Sequence, residues 1–151
     1  MQSGYTAPMG VAFSQNGQYM LVWEKTGLLW VSAWNGSTYI KQATPTLDLR
    51  EEVADWRDLG LESVAPDPNF DANGLIYLFY QVDRHHLLYF GTPQYNANLN
   101  EYFNASISRL TRYQLTNVNG QLTANTATRK VLLPVPATGA PIDMLPALFL
   151  N

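Results

Sequence analysis

Two polar stretches of the sequence carry the side chains that could do chemistry. The first is DLREEVADWRDLG, residues 48–60, which is the most polar segment of the chain and contains Asp58. The second is DRHHLLYFGTPQYNANLNEYF, residues 83–103, a long insertion that contains the run Arg84–His86. Carboxylates and imidazoles can exchange protons with a bound alcohol, and a guanidinium can hold an anionic group. What these groups can do together depends on the elements that carry them.

Composition excludes several kinds of chemistry. The chain has 151 residues, a net charge of -3 and no cysteine, so thiolate nucleophiles, disulfides and zinc-thiolate sites are impossible. The negative charge gives no electrostatic reason to bind nucleic acid. No apolar run is long enough to cross a bilayer, and the N-terminus MQSGYTAPMG has no signal pattern, which fits a cytosolic protein or a fragment. A hydrophobic share of 46% predicts a folded domain with a sizeable core.

Strand signals dominate the rest of the chain, and the first four form a meander. The turn sequences QNG, TG and NG separate them, and Asn and Gly adopt positive φ at little cost. Segments rich in aromatic and β-branched residues, joined by such turns, are typical of antiparallel strands. The predicted strands are Val11–Ser14, Tyr19–Lys25, Leu28–Trp34 and Ser37–Ala43.

A second meander begins after residue 60 and repeats the first. Val-Ala, a turn ending in Asn-Gly and an aromatic strand begin at Val11 and again at Val64, an offset of 53 residues (64 minus 11). The second copy carries four extra turn residues (VAPDPNFDANG against VAFSQNG). Self-similarity at about 50 residues with four strands per unit is typical of β-propeller blades. The predicted strands of this unit are Glu62–Pro66, Leu75–Val82, Ser106–Leu115 and Arg129–Val135.

The predicted fold class is all-β, with about two four-stranded antiparallel blades. Two blades do not close a ring, since a propeller typically has at least four. The chain is therefore either a piece of a larger propeller or a compact two-sheet protein whose repeat is fortuitous. The predicted organisation is one partial propeller domain over residues 1–151, with blade one at about 8–47, blade two at about 61–136 and an irregular tail at 137–151.

Several blocks resemble a known family in order and spacing. GVAFSQNGQYMLVWEKTGLLWV (10–31) is similar to the opening blade of the glucose/sorbosone dehydrogenase family, whose soluble members use pyrroloquinoline quinone (PQQ). LDLREEVADWRDLGLESVAPDPNFDANGLIYLFYQV (47–82) is similar to the family's second block. ISRLTRY (107–113) and RKVLLPVP (129–136) match the two strands that usually follow. The resemblance covers nearly the whole chain.

The resemblance implies a six-bladed propeller with PQQ and calcium at its central face. Members oxidise a sugar or other alcohol by passing a hydride to the quinone, a histidine acts as general base, and cationic side chains hold the acidic cofactor. The protein then supplies positioning and electrostatics. For this chain it implies a periplasmic or extracellular parent protein, a small sugar or alcohol as partner, and further C-terminal blades of the same propeller.

The chain departs from the family pattern near its C-terminus. The family's general-base histidine follows the second blade, where this chain reads TGAPIDMLPALFLN (138–151) and contains no histidine. From about Asp143 the family pattern is lost, which indicates a truncation or a shifted reading frame. We therefore assign no catalytic residue and no metal ligand within the chain, and we predict that the isolated chain has no dehydrogenase activity.

Blade geometry predicts that the two polar stretches lie at the same end of the second sheet. In an antiparallel blade, the connection entering the first strand and the one joining the second and third strands share an end. Asp58, two residues before Gly60, stands where soluble family members have a polar side chain facing the substrate. Its carboxylate could bind a substrate hydroxyl. The alternative is a loop aspartate that bonds its own backbone.

Arg84, His85 and His86 lie in the insertion and could contact an anionic cofactor or shape substrate access. The alternative for both histidines is a surface or packing role. In an extended segment, adjacent histidines point to opposite sides and cannot easily bind one metal. The acidic turn at 67–73 has calcium-type residues without the order of a calcium loop, so we interpret it as turn chemistry.

Two functions of different classes follow. The first is the N-terminal part of a PQQ-dependent sugar or alcohol dehydrogenase-like protein. The second is a non-catalytic propeller module that binds a ligand or a protein. The sequence downstream of residue 151 separates them, because the enzyme requires a histidine and a set of arginines and lysines there.

Overall fold

The computed structural model describes residues 4–101, 104 and 106–134, and it confirms the all-β fold class. Strands form two antiparallel sheets, with two short helices in connections of the second. The strands are β1 Pro8–Phe13, β2 Tyr19–Glu24, β3 Leu28–Trp34, β4 Tyr39–Lys41, β5 Leu47–Asp48, β6 Leu61–Pro66, β7 Leu75–Gln81, β8 Ser108–Val118 and β9 Gln121–Leu133. The helices are α1 Phe70–Asn73 and α2 Arg84–Tyr89.

The first sheet has the order β1-β2-β3-β4, and β5 also pairs with β3. Strand β4 lies beside the C-terminal half of β3, and β5 lies beside its start, so the two share one edge. The predicted fourth strand is therefore shorter than expected and is followed by a second piece. Between them, the N–H of Gln42 donates to Val31 O and the N–H of Thr46 to Leu29 O.

The second sheet has the order β6-β7-β8-β9, and its last two strands are longer than the sequence predicted. They form one hairpin through Asn119 and Gly120, both at positive φ as a two-residue hairpin turn requires. The predicted start of the last strand at Arg129 was wrong. The polar run after Leu115 continues the ladder, because backbone pairing does not need apolar side chains.

The two copies of the internal repeat form equivalent hairpins, one in each sheet. Strands β1 and β2 meet at the Asn16-Gly17 turn, and β6 and β7 meet at Asn73-Gly74. The extra residues of the second copy form α1, which Gly74 closes in the left-handed conformation. The two turns touch, because the N–H of Asn16 donates to Asp71 Oδ2 at 3.0 Å.

The core lies between the two sheets, where burial of apolar surface stabilises the packing. Trp23 of β2 also donates its indole N–H to Glu62 O of β6 at 3.1 Å, which ties one sheet to the other. The inward side chains of the first sheet include Leu21, Trp23, Leu29 and Val31, and those of the second include Val64, Ile76, Leu78 and Tyr80.

Candidate functional site

The two polar stretches lie at the same end of the second sheet, which we call the rim end. The N–H of Gly60 donates to Gln81 Oε1 at 3.0 Å, and the N–H of Gln81 donates to Gly60 O at 3.2 Å. Gln81 also pairs with Ser108, the first residue of β8. Segment 49–60, the part of the first polar stretch that follows β5, therefore enters β6 beside the point where β7 ends. There the chain continues into the β7–β8 connection, residues 82–107, which contains the insertion 83–103.

Asp83 gives the insertion its local structure. Its Oδ1 accepts the N–H groups of His85 at 2.9 Å and His86 at 3.2 Å, which caps the start of α2. Its Oδ2 accepts the N–H of Glu101 at 2.8 Å, which closes the far side of the insertion. The expectation of an extended segment at the two histidines was wrong, because this cap folds the residues after it into a helical turn.

Both histidine rings are buried among other rings. His85 stacks on Tyr95 with 5.6 Å between ring centroids, and its Nε2 accepts the N–H of Asn96 at 3.1 Å. His86 stacks on Phe90 at 4.4 Å, and its Nδ1 lies 3.3 Å from the hydroxyl of Tyr95. Burial lowers the pKa of His86, which favours the neutral imidazole.

Arg84 is more accessible than the histidines. Its guanidinium Nε lies 4.0 Å from Glu101 Oε2, and about two fifths of the side chain is exposed. The three candidate residues of α2 therefore differ in access: Arg84 can meet a ligand directly, whereas the histidines act through the residues they contact.

Asp58 is exposed on the loop that leads into β6. The next glycine fixes that loop against the first sheet, because a Cβ at Gly60 would lie 2.7 Å from Lys25 O. The N–H of Leu61 also donates to Lys25 O, at 2.9 Å. Asp58 thus lies at the rim end where the two sheets meet, on the side of the β2–β3 turn.

Glu52 is a central residue that the sequence analysis missed. The residue is only 6% exposed, yet its side chain bonds to three strands of the second sheet, β7, β8 and β9. Glu52 Oε1 accepts from Tyr80 Oη at 2.7 Å, from Arg109 Nη1 at 2.6 Å and from Arg129 Nη2 at 2.7 Å. Its backbone oxygen accepts the N–H of Asp83 at 2.8 Å, so one residue joins segment 49–60, the sheet and the insertion.

The two arginines keep this buried carboxylate ionised. Burial by itself would raise the pKa of Glu52, but Arg129 and Arg109 outweigh it and hold the pKa below its usual range. Burial and the neighbouring carboxylate raise the pKa of Tyr80, so its phenol stays protonated and donates. The arrangement is a buried ion cluster with one carboxylate and two guanidiniums.

A signal for Glu52 was present in the sequence. Arg109, Thr111 and Tyr113 alternate on the face of β8 that turns inward and are buried, as is Ile107 just before the strand. An arginine at an inward position of a strand requires a buried anion. The pattern therefore indicated a carboxylate partner for Arg109, although spacing alone does not say which one.

A second contact ties segment 49–60 to the tip of the insertion. Tyr95 Oη donates to Glu51 Oε1 at 2.5 Å, and burial together with Glu51 raises the pKa of that phenol. Beside this contact lies an open groove of about 640 Å³ between the two segments. We call it the rim groove, and it is lined by Asp48, Arg50, Glu51, Ala97 and Asn98.

The acidic turn at 67–73 makes local bonds. Asp67 Oδ1 accepts the N–H of Asn69 at 2.9 Å and the amide of Asn73 at 3.0 Å, and Oδ2 accepts the hydroxyl of Tyr77 at 3.0 Å. Across residues 4–101, 104 and 106–134, no group of three or more His, Asp and Glu side chains is arranged to hold a metal ion. In the same part of the chain, no helix is long and apolar enough to span a membrane.

Two packed antiparallel sheets, one of five strands and one of four, with polar connections at one end of the second, define a partial β-propeller. The fold is similar to a solved structure described as "Crystal structure of glucose dehydrogenase", with a TM-score of 0.53 and 20% identity. The similarity covers 86% of this chain and 30% of that chain, so the present chain spans about a third of that protein. No curated protein is significantly similar to the chain.

The family follows from the sequence of the same two units. The model of the Glucose / Sorbosone dehydrogenase family matches residues 5–127. That match covers most of the 151 residues. The chain belongs to the glucose/sorbosone dehydrogenase family.

Proposed function

We propose that the chain is the N-terminal part of a PQQ-dependent sugar or alcohol dehydrogenase-like protein. The observation that carries this proposal is the family match over residues 5–127. The collection of polar segments at one end of the second sheet supports it. In this proposal residues 1–151 form one partial propeller, with blade one at about 8–47, blade two at about 61–136 and a tail at 137–151, of a periplasmic or extracellular parent protein.

Asp58 and α2 take different roles in this proposal. The exposed carboxylate of Asp58 accepts a hydroxyl of the substrate, and Arg84 meets the ligand from the insertion. His85 and His86 shape access through their neighbours, because both rings are buried. The general base comes from sequence beyond this chain.

Three guanidiniums of the described residues are already held by carboxylates of this chain, so they do not serve as partners for PQQ. PQQ carries carboxylates and requires cationic partners, but the guanidiniums of Arg50, Arg109 and Arg129 already bind Asp48 or Glu52. Arg84 lies near Glu101. We therefore derive no reaction step through the cofactor, and we propose that blades outside this chain supply its ligands.

The outer face of the first sheet supports the existence of further blades. Met9, Val11 and Phe13 alternate along β1 and are about half exposed, and Trp34 of β3 is also exposed on this sheet. A contiguous apolar sheet face in water is unfavourable and is typical of an interface. We propose that a later blade of the same propeller covers it.

The second candidate function is a non-catalytic propeller that recognises a ligand or a protein. The guanidiniums of Arg50, Arg109 and Arg129 favour it, because each already binds a carboxylate of this chain instead of an acidic cofactor. In this case the rim end serves as a binding surface only.

Turnover assays separate the two functions. The isolated chain and the full-length parent are each given PQQ, calcium, a panel of sugars and a dye acceptor. We expect turnover from the parent and none from the chain, and turnover by the chain alone contradicts the proposal. A parent protein that binds sugars without turnover supports the second function.

One substitution in the parent tests the role of Asp58. Asp58→Asn removes the charged acceptor, and hydrogen bonds to charged groups contribute about 1.5–3 kcal/mol, so KM should rise about tenfold or more. Asp55→Asn on the same loop is the matched control and should leave KM unchanged. Equal effects of the two changes contradict the assignment.

A further inference from the structure

We propose that Asn35 is a site of spontaneous covalent modification, at which the side-chain amide is converted to aspartate or isoaspartate through a cyclic imide. The site is independent of the proposed function. The evidence is a comparison of the four Asn-Gly pairs of the chain, all of which lie in its described part. The pairs are Asn16-Gly17, Asn35-Gly36, Asn73-Gly74 and Asn119-Gly120.

The chemistry uses water and hydroxide alone. Asparagine is thermolabile, and a following glycine leaves the backbone nitrogen accessible because it has no Cβ. This nitrogen gives its proton to hydroxide and attacks the asparagine Cγ. The new N–Cγ bond forms, the Cγ–Nδ2 bond breaks, and Nδ2 takes a proton from water and leaves as ammonia. Water then opens the ring, which gives aspartate if the bond to Cγ breaks and isoaspartate if the bond to the backbone carbonyl carbon breaks.

The turn at Asn35 combines a free nucleophile with an activated amide. The N–H of Gly36 makes no hydrogen bond with any residue that the structure describes. A Cβ at Gly36 would meet no atom within 4 Å, so the turn is open to solvent. Asn35 Oδ1 accepts the N–H groups of Ser37 at 2.9 Å and Thr38 at 2.8 Å. These two donors stabilise the negative charge that develops on Oδ1 during the attack, as the donors of an oxyanion hole do.

At two other pairs the N–H of the glycine is already bonded. The N–H of Gly17 donates to Ser14 O at 2.9 Å. The N–H of Gly120 donates to Asn117 Oδ1, also at 2.9 Å. Each bond must break before the nitrogen can attack, which should slow the reaction about fivefold.

The pair Asn73-Gly74 is held most firmly. The N–H of Gly74 donates to Phe70 O at 2.7 Å, and Asn73 Nδ2 donates to Asp67 Oδ1 at 3.0 Å. The backbone is also closely packed here, because a Cβ at Gly74 would lie 2.3 Å from Leu115 O. Several contacts must break together, so this pair should react at least about a hundredfold more slowly than Asn35.

The two products at Asn35 differ in their effect on the first sheet. Aspartate keeps the Oδ1 acceptor and adds a charge to an exposed turn. Isoaspartate adds a carbon atom to the backbone directly after Trp34, which pairs with Tyr39 and contacts its ring at 5.0 Å between centroids. The longer turn should therefore loosen the short strand β4 from β3.

The test compares the four pairs within one protein. The 151-residue chain is incubated at mildly alkaline pH in buffer and in unfolding urea, then digested, and mass spectrometry with chromatography quantifies aspartate and isoaspartate at each pair. In buffer, Asn35 should react at least about fivefold faster than Asn16 and Asn119, and Asn73 should be slowest. In urea the four rates should converge. Another pair that equals Asn35 in buffer, or the same order of rates in urea, overturns the proposal.

One variant tests whether the glycine N–H controls the rate. Asn117→Ala removes the acceptor of the Gly120 N–H and leaves Asn119 and Gly120 unchanged. The rate at Asn119 should rise about fivefold. Ser37→Ala is the control, because it keeps the backbone N–H that bonds to Asn35 and should leave the rate at Asn35 unchanged. An unchanged rate at Asn119 in Asn117→Ala contradicts the role of the hydrogen bond.

Two further variants imitate the aspartate product at an open and at a protected pair. Asn35→Asp should leave the equilibrium constant of unfolding unchanged, because Oδ1 still accepts its two bonds. Asn73→Asp replaces a donor to Asp67 by a second carboxylate and should raise that constant about tenfold. Urea unfolding measures both, and equal effects of the two changes contradict the contrast between the turns.

Discussion

The two sheets share one strand plan and differ at the rim end. In the first sheet, β2 and β3 are joined by the tight turn Lys25–Gly27, which the N–H of Gly27 closes by donating to Glu24 O at 3.0 Å. In the second sheet, the equivalent connection is residues 82–107, which contain the insertion with a helix, the buried Asp83 and two buried histidines. The repeated strands provide the scaffold, and the longer connection places Asp83 and the two buried histidines beside the second sheet.

One buried glutamate lies near this end of each sheet, Glu24 in β2 of the first and Glu52 in segment 49–60 against the second, and their partners differ. Glu24 accepts from neutral donors, the indole of Trp30 at 2.9 Å and the N–H of Thr6 at 3.0 Å. Glu52 accepts from Arg109 and other donors of the second sheet. The comparison suggests that Glu24 closes a structural turn, whereas Glu52 organises the candidate site.

The largest expected effect comes from removing Glu52. Glu52→Ala leaves Arg109 buried without its anion, and losing one partner of a buried ion pair costs about 3–5 kcal/mol. Glu24→Ala leaves only neutral donors and should cost about 1–3 kcal/mol. Urea unfolding of the two variants measures both free energies.

Substitution by glutamine separates the loss of charge from the loss of side-chain volume at Glu52 and Glu24. Both glutamine variants keep the volume of the side chain. Glu52→Gln should still destabilise the fold more than Glu24→Gln, because only Glu52→Gln removes a charge from an ion cluster. Equal losses in the two sheets would show that the cluster has no special role.

The two Asn-Gly turns predict a smaller difference. Gly17 and Gly74 both have positive φ, but a Cβ at Gly74 would lie 2.3 Å from Leu115 O, whereas a Cβ at Gly17 has no atom closer than 3.9 Å. Gly17→Ala should therefore cost about 1–2 kcal/mol for the backbone conformation alone. Gly74→Ala adds overpacking and should cost about 3 kcal/mol. Thermal and urea unfolding check the order, and a reversed order contradicts the placement of β8.

The smallest effect concerns pH. Burial lowers the pKa of His86 in the folded chain, so the unfolded chain binds more protons once the pH falls below about 6.5. The contribution of His86 to the free energy of unfolding should therefore be full above that pH and should decrease toward pH 5. The charges facing the ring are Glu51, Glu52, Arg109 and Arg129.

His86→Phe, which keeps the stack on Phe90, should flatten this pH dependence. Urea midpoints at pH 7 and pH 5 measure it in both proteins. If the urea midpoint falls equally from pH 7 to pH 5 in His86→Phe and in the unmodified chain, the ring of His86 is not buried in its neutral form.

Much of the scaffold was predictable from local signals. The Asn-Gly pairs ending at Gly17 and Gly74 predicted the β1–β2 and β6–β7 hairpins, because few residues other than Asn and Gly adopt positive φ. The same signature at Asn119-Gly120 was present but was overlooked, because the flanking strands are polar. The pairing of β8 with β9 depends on hydrogen bonds between their backbones, and the amino-acid composition of the two strands does not reveal those bonds.

The candidate site was predictable only in part. The shared end of the two polar stretches followed from antiparallel order alone. The helix at His85 was missed although an aspartate stands at its N-cap, since a single short turn has little periodicity. Glu52 required tertiary information, because its partners Arg109 and Arg129 lie 57 and 77 residues away along the chain.

One measurement tests the central claim that segment 49–60 and the insertion form a single face. The chain has no cysteine, so Asp58→Cys accepts one nitroxide label, and paramagnetic broadening of amide signals reports distance from it. The strands separate the two ends of the sheet by roughly 20 Å. We expect broadening across 83–101 and at Lys25–Gly27, with sharp signals at Gly17, Gly74 and Gly120. Broadening at those three glycines, with sharp signals in the insertion, would contradict the account.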